Sequence, residues 1–268
     1  MTRDSRPTIL ITGAGSGIGR ALAQEAADDG WHVILVGRTR ATLDDTAALI
    51  GPDAATVLPA DITRAEDRAR IAAAIGPRLD VLVNNAGALR AGRLTDLPDE
   101  AAAAMISTNL LAPILLTRDL IPALRATRGR VVNIGSVFGD IAFPYFTVYS
   151  ASKFALRGLS DALRRELAGD GISVSYIAPR ATRTAAEVEF AALVEPFSMV
   201  LDPAEKVAAR AWRGIRAGRR TVYPGLAERL FVLVQALSPR LIDRALIKQA
   251  HAPAAKAALS TLPEDAKS

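Results

Sequence analysis

The chain has 268 residues, half of them hydrophobic, with 33 basic side chains against 28 acidic ones, a net charge of +5 and no cysteine. That length and apolar content suit one α/β domain with a full core, and the lack of cysteine excludes disulfides, thiolate nucleophiles and cysteine-ligated metals. The positive excess comes from arginines scattered among acids, with no like-charge block and no interleaved aromatics, so it reads as solvated surface rather than a nucleic-acid site.

His32 and His251 stand far apart and outside any ligand-like cluster, so no metal is expected. The first seven residues, Met1 to Pro7, run directly into an apolar strand and leave no room for a signal core. No run of about eighteen apolar residues is evident, which disfavours a spanning helix. A cytoplasmic protein is the expectation.

In chain order, apolar runs of strand length alternate with helical stretches. The strands are expected at Thr8–Thr12, Val33–Gly37, Thr56–Pro59, Val81–Asn84, Arg130–Ile134, Ser173–Ile177 and Thr221–Tyr223. Helices are expected at 18–29, 40–49, 64–75, 99–108, 111–126, 148–168 and 203–217. This alternation predicts a Rossmann-type α/β fold, a doubly wound parallel seven-stranded sheet with helices on both faces. Residues 1–225 are expected to form one catalytic domain. The stretch 226–250 reads as an amphipathic helical extension, and 251–268, rich in alanine, as a disordered tail.

Directly after the first strand comes Thr12-Gly13-Ala14-Gly15-Ser16-Gly17-Ile18-Gly19, followed at once by a helical pattern. Glycines there let a backbone approach a pyrophosphate, and the helix N-terminus offers free N–H groups. The P-loop alternative fails because no Gly-Lys-Ser/Thr closes the motif. The second strand ends in Val36-Gly37-Arg38, without the acidic residue that would bind a ribose 2′-hydroxyl. An arginine there can pair with a 2′-phosphate, which favours NADP(H) over NAD(H).

Tyr149 and Lys153 are spaced i, i+4 within an expected helix, and Ser136 lies thirteen residues upstream. That spacing sets a phenol beside an ammonium, and a neighbouring cation pulls a phenol's pKa down toward the range where a general acid or base works best. Ser136 would add a second hydrogen-bonding hydroxyl.

These motifs, with Asn84-Asn85-Ala86-Gly87 after the fourth strand and Asn109 inside a helix, resemble the short-chain dehydrogenase/reductases in their compact single-domain form, from about residue 8 to 225. The resemblance implies that Gly13, Ser16, Gly17, Ile18 and Gly19 hold the cofactor, that Asp61 hydrogen-bonds the adenine and that Ile62 lines its pocket. It implies that Asn85, Ala86 and Gly87 pack against the ribose and central sheet. Tyr149 corresponds to the catalytic acid/base, Ser136 to the hydroxyl polarising the carbonyl, Lys153 to the residue that holds the nicotinamide ribose, and Asn109 to the anchor of a water linking Lys153 to solvent. Implied with these are a small-molecule carbonyl or alcohol substrate and a homodimer or homotetramer.

The chain departs from the family where Pro-Gly is usual after the sixth strand. Here Pro179 is kept, Arg180 replaces the glycine, and Thr184 falls where the family's nicotinamide-side threonine would. Arginine cannot adopt glycine's positive φ cheaply, so a different loop path is expected, with Arg180 or Arg183 a candidate for pairing with an anion in the cleft. Residues 185–201 occupy the place of a substrate lid, and Phe143, Tyr145 and Phe190, with Phe146, Phe197 and Met199, suggest an apolar pocket. The leucine-rich stretch Leu226–Gln249, bordered by Arg229, Arg240, Arg244 and Lys248, is read as core packing or subunit contact ahead of a membrane surface. The alternatives to a soluble reductase are a non-catalytic cofactor-binding sensor or scaffold and a membrane-peripheral reductase of a lipid or steroid.

Overall fold

The computed structural model of the chain describes residues 6–262. The first residues of the expected leaderless start and the last six of the expected tail lie outside the described residues. Strands β1 (Thr8–Thr12), β2 (His32–Gly37), β3 (Ala55–Pro59), β4 (Val81–Asn84), β5 (Arg130–Ile134) and β6 (Ser173–Ile177) fall within a residue of their expected bounds. Two short strands, β7 (Thr182–Arg183) and β8 (Asp202–Pro203), pair with each other, and β9 (Thr221–Val222) closes the main sheet. The main sheet is parallel throughout, in the order β3-β2-β1-β4-β5-β6-β9. The order reverses beside β1, which opens a crevice at the carboxyl ends of β1 and β4.

Strands buried on both faces must be apolar on both faces, and β1, β2 and β4 read as continuous runs of Val, Ile and Leu for that reason. One face is covered by α1 (Gly17–Asp28) and α8 (Ala204–Arg216), with α2 (Arg40–Ile50) beside them. Here Trp31 and Trp212 meet edge to face, 5.4 Å between centroids. The other face carries α3 (Ala65–Ile75), α5 (Ala112–Thr127) and the inner side of α6 (Thr147–Glu166), through Ile71, Leu116, Leu120 and Leu124 packed on Leu10, Leu82 and Val131, with Leu163 at the margin.

Between α4 (Asp99–Ile106) and α5 lies a π-helical turn, Ser107–Leu111, so that one helix runs without a break from 99 to 127. By length and mean hydropathy this helix is long and apolar enough to cross a membrane, although Ser107, Thr108, Asn109, Arg118 and Asp119 interrupt its apolar residues. In the fold its Leu116, Leu120 and Leu124 cover the sheet.

A third apolar cluster sits above the strand ends. It joins Phe146, Phe190, Leu193 and Phe197 to Ala250 and Ala255, and includes α7 (Ala191–Val194). Beyond β9 the chain forms α9 (Leu226–Leu237), α10 (Pro239–Ala250) and α11 (Pro253–Leu259). Residues 253–259 therefore correct the expectation of a disordered tail: Ala255 is fully buried against the cluster. In the stretch 226–250, expected to pack on its own domain or at an interface, α9 contributes no buried residue and α10 contributes Ala250 to the third cluster.

Candidate active site

The loop between β1 and α1 is built for close approach. Gly13 has φ +66° and α1 begins at Gly17. At Gly19 a Cβ would lie 2.2 Å from the Gly13 carbonyl and 2.5 Å from Asn85 Nδ2, so the helix can reach the loop only without a side chain. Asn85 Nδ2 donates to the Thr12 carbonyl at 2.8 Å and to that of Gly13 at 3.3 Å. The Thr12 hydroxyl accepts the amides of Asn85 and Ala86. The loops after β1 and β4 are thereby one rigid unit. Ser16, the N-cap of α1, makes no side-chain capping bond and no acid occupies the first turn, which leaves the positive helix end open to an anion.

A cleft of about 270 Å³ runs from this loop across the strand ends, lined by Gly13, Ser16, Gly17, Ile18 and Asn85–Gly87 at one end and by Ser136, Tyr149 and Lys153 further along. Pro179 and Thr184 line the opposite wall. A Cβ on Gly17 would come within 2.8 Å of the Thr184 methyl, so the two walls nearly touch there.

Helix α6 brings Tyr149 and Lys153 together as their spacing requires, with Lys153 Nζ 5.5 Å from the tyrosine ring centroid. Lys153 is 4% exposed and donates to the Ile134 carbonyl at 3.1 Å. Ser136, at the carboxyl end of β5, accepts from the Phe138 amide at 3.1 Å and is hydrogen-bonded to the Tyr149 phenol. Asn109, buried in the π-turn, accepts from the Ala88 amide at 2.8 Å and donates to the Ala88 carbonyl at 2.9 Å.

Two residues of this cluster were not foreseen. Ser152 is fully buried, accepts from Asn109 Nδ2 at 3.0 Å and donates to the Tyr149 carbonyl at 2.7 Å, so it ties the π-turn to the tyrosine's own helix. Its position, three after Tyr149, was the available signal. Tyr176 lies on β6, where its hydroxyl accepts from the Ser136 amide at 3.3 Å and donates to the Ser136 carbonyl at 3.1 Å. Its ring fills the space over Gly135, where a Cβ would come within 2.1 Å of it.

The electrostatics differ from expectation. Burial pushes the Tyr149 phenol up to about 12, opposed by the Ser136 hydrogen bond, and pulls Lys153 down to about 8. Desolvation disfavours the charged form of each, and in the chain alone it outweighs the pull of the lysine. The lowered phenol pKa expected from the i, i+4 spacing is therefore corrected.

At the far end, Arg38 follows β2, is exposed, and has no hydrogen bond or ion pair among the described residues. Asp61 accepts from the amide and hydroxyl of Thr63 at 2.9 and 2.7 Å. Burial raises its pKa, but these bonds and the Arg38 charge leave it below the ordinary carboxylate value. Ile62 is buried beside it, 6% exposed.

The apolar wall is made by Leu89, Phe138, Phe146, Phe190 and Met199. Phe190 lines the cleft as expected, whereas Phe143 and Tyr145 do not. Phe143 stacks behind Phe138 at 4.4 Å, and Tyr145, held at φ +68°, turns its hydroxyl away to donate to the Ala250 carbonyl at 2.8 Å. Arg180 borders the cleft, but its guanidinium is taken. It pairs with both Asp202 oxygens at 2.8 and 3.0 Å and with Glu228 at 2.8 Å, which corrects the reading of Arg180 as an anion ligand. Its φ is not positive, and the loop instead forms the β7–β8 pair.

The family model described as short chain dehydrogenase matches residues 7–192. An uncharacterized oxidoreductase of Staphylococcus aureus is 32% identical over 180 residues, 66% of this chain and 78% of the relative. Among solved structures, a short-chain dehydrogenase from Sphingobium yanoikuyae in complex with NADPH is 30% identical, with a TM-score of 0.74 over 88% of this chain and 96% of its own. A 3-ketoacyl-(acyl-carrier-protein) reductase from Brucella melitensis complexed with NADH is 28% identical, with a TM-score of 0.75 over 82% of this chain and 97% of its own. A glycine loop at the β1/β4 crevice, a Ser–Tyr–Lys cluster beside it and a family match over most of the sheet lead to one conclusion: the chain belongs to the short-chain dehydrogenase family, oxidoreductases that act on CH–OH and C=O groups with a nicotinamide cofactor.

Proposed function

We propose that the protein is an NADP(H)-dependent reductase or dehydrogenase that moves a hydride between nicotinamide and the carbonyl or secondary alcohol of a small, apolar molecule. The observation that carries this reading is one cleft holding three things: a bare glycine loop, the Ser136–Tyr149–Lys153 cluster, and a wall of Leu89, Phe138, Phe146, Phe190 and Met199. With Arg180 neutralised by Asp202 and Glu228, that wall presents no free charge to a substrate.

The residues present fit a dinucleotide. Gly13, Ser16, Gly17, Ile18 and Gly19 would cradle the pyrophosphate, Asp61 and Ile62 would receive the adenine, Ala86, Gly87 and Lys153 would receive the nicotinamide ribose, and Pro179 and Thr184 would border the carboxamide. The bound nicotinamide supplies or accepts the hydride.

At the carbonyl end Ser136 and Tyr149 donate to the oxygen where negative charge develops, and Tyr149 delivers the proton. A phenol is protonated at neutral pH and so can donate to that oxygen. In this reading Lys153 restores the proton, and Asn109 anchors the water that connects it to solvent.

The preference for NADP(H) rests on Arg38, exposed at the end of β2, where the strand ends without the acidic residue that would bind a ribose 2′-hydroxyl. Neighbours bound to NADPH and to NADH are both similar to this chain, so the arginine, not the fold, carries this point. The test is kcat/KM for NADPH and NADH against a panel of ketones, aldehydes and quinones. NADPH-linked turnover of apolar ketones is expected; a clear preference for NADH would overturn the cofactor assignment, and turnover confined to charged substrates would overturn the substrate class.

A further inference from the structure

We propose that the α9–α10 hairpin is a docking surface for an anionic lipid bilayer. On α9, Leu226, Leu230, Leu233 and Leu237 are spaced 4, 3 and 4 apart and so form one stripe along the helix. They are 81%, 60%, 52% and 77% exposed. Glu228 lies on the opposite side of the same helix, about 180° away at 100° per residue, and is fastened to Arg180 on the body of the protein. The stripe therefore points outward because the chain holds it so. Phe231 on α9 and Leu241 and Ile247 on α10 are exposed as well. A soluble monomer seldom leaves a contiguous patch of this kind uncovered.

The charges around the patch identify what covers it. Arg229, Arg240, Arg244 and Lys248 are all exposed, and none has a hydrogen bond or ion pair among the described residues. Of the two acids in 226–250, Glu228 is consumed by Arg180, leaving Asp243 alone against four free cations. A second copy of this chain would bring the same cations to the contact. An anionic headgroup layer would neutralise them while its acyl boundary took up the leucines.

The hairpin is also fastened at both ends to segments that wall the cleft. Arg180 holds the start of α9, and the Tyr145 hydroxyl holds the carbonyl of Ala250 at the end of α10. Just beyond, Ala255 of α11 is buried in the cluster that contains Phe190.

The test is vesicle flotation of the full-length protein with phosphatidylcholine alone and with phosphatidylglycerol added, run together with light scattering. Wild type should float with the phosphatidylglycerol vesicles and not with phosphatidylcholine, and the bound fraction should fall as salt is raised. The L230E/L233E variant should stay at the bottom of the gradient, with unchanged melting temperature and unchanged NADPH-linked turnover of a soluble ketone. R240E/R244E should lose most of its binding while keeping the same fold. Wild type that does not float, or L230E/L233E that floats as well as wild type, would overturn the proposal. So would a wild-type dimer that fails to float and that L230E/L233E converts to monomer, since the patch would then be a contact between copies.

Discussion

Replacing Tyr176 with phenylalanine removes one hydroxyl and leaves the ring that fills the space over Gly135. That hydroxyl takes the Ser136 amide hydrogen and donates to the Ser136 carbonyl, at 3.3 and 3.1 Å, and both partners are buried. The Ser136 carbonyl keeps the Gly139 amide as a donor at 3.0 Å, so only the Ser136 amide is left without a partner; a buried polar group in that state costs about 1–3 kcal/mol, and a loss of about 2 kcal/mol of stability is expected. Ser136 is also freed to shift relative to Tyr149, and each 1.4 kcal/mol of lost transition-state stabilisation is about tenfold in rate. Tyr176 does not line the cleft, so KM for the cofactor should stay near the wild-type value while kcat falls about tenfold. Urea unfolding read as a shift in midpoint at constant slope, together with steady-state kinetics, measures both effects. A midpoint and a kcat equal to wild type would refute the idea that Tyr176 positions Ser136.

The pH dependence of stability follows from Lys153. Its folded pKa, about 8, lies below the ordinary lysine value, so the unfolded chain binds more protons between these limits and stability rises with pH across that window. From pH 7 to pH 9 the cofactor-free protein should gain about 1 kcal/mol, read from urea midpoints, and Lys153→Met should abolish the gain; a midpoint that falls or stays flat in wild type would contradict the burial argument. Arg38→Glu should cut kcat/KM for NADPH about tenfold or more while sparing NADH, which the ratio of the two constants reads directly. Arg180→Gly leaves Asp202 with Lys206 alone and frees Glu228, so faster proteolysis at 226–250 should appear with unchanged cofactor KM; a raised KM would instead favour an anion-binding role.

Buried parallel strands announce themselves as short apolar runs between turn residues, which is why β1, β4, β5 and β6 are legible to the residue. The glycine loop and the Tyr149/Lys153 pair are legible for a similar reason, since their chemistry depends on local spacing. What depends on partners distant in the chain is not. Tyr176 reaches Ser136 across 40 residues, and Arg180 reaches Asp202 and Glu228 across 22 and 48, so neither role shows in a local pattern. Phe143 and Tyr145 precede the tyrosine as an aromatic cluster should, yet a left-handed residue at 145 turns that segment away and gives the wall to Phe138 and Phe146. The phenol's pKa was misjudged because spacing reports the neighbouring charge and is silent on burial, which here dominates.

In the proposed mechanism Tyr149 is the proton donor of a nicotinamide-linked carbonyl reaction. The most direct measurement is Tyr149→Phe, with NADPH binding followed by fluorescence titration and turnover followed by NADPH oxidation on the best ketone. Cofactor affinity should stay within about twofold of wild type and turnover should fall by at least ~10²-fold. Near-normal turnover in that variant would contradict that role.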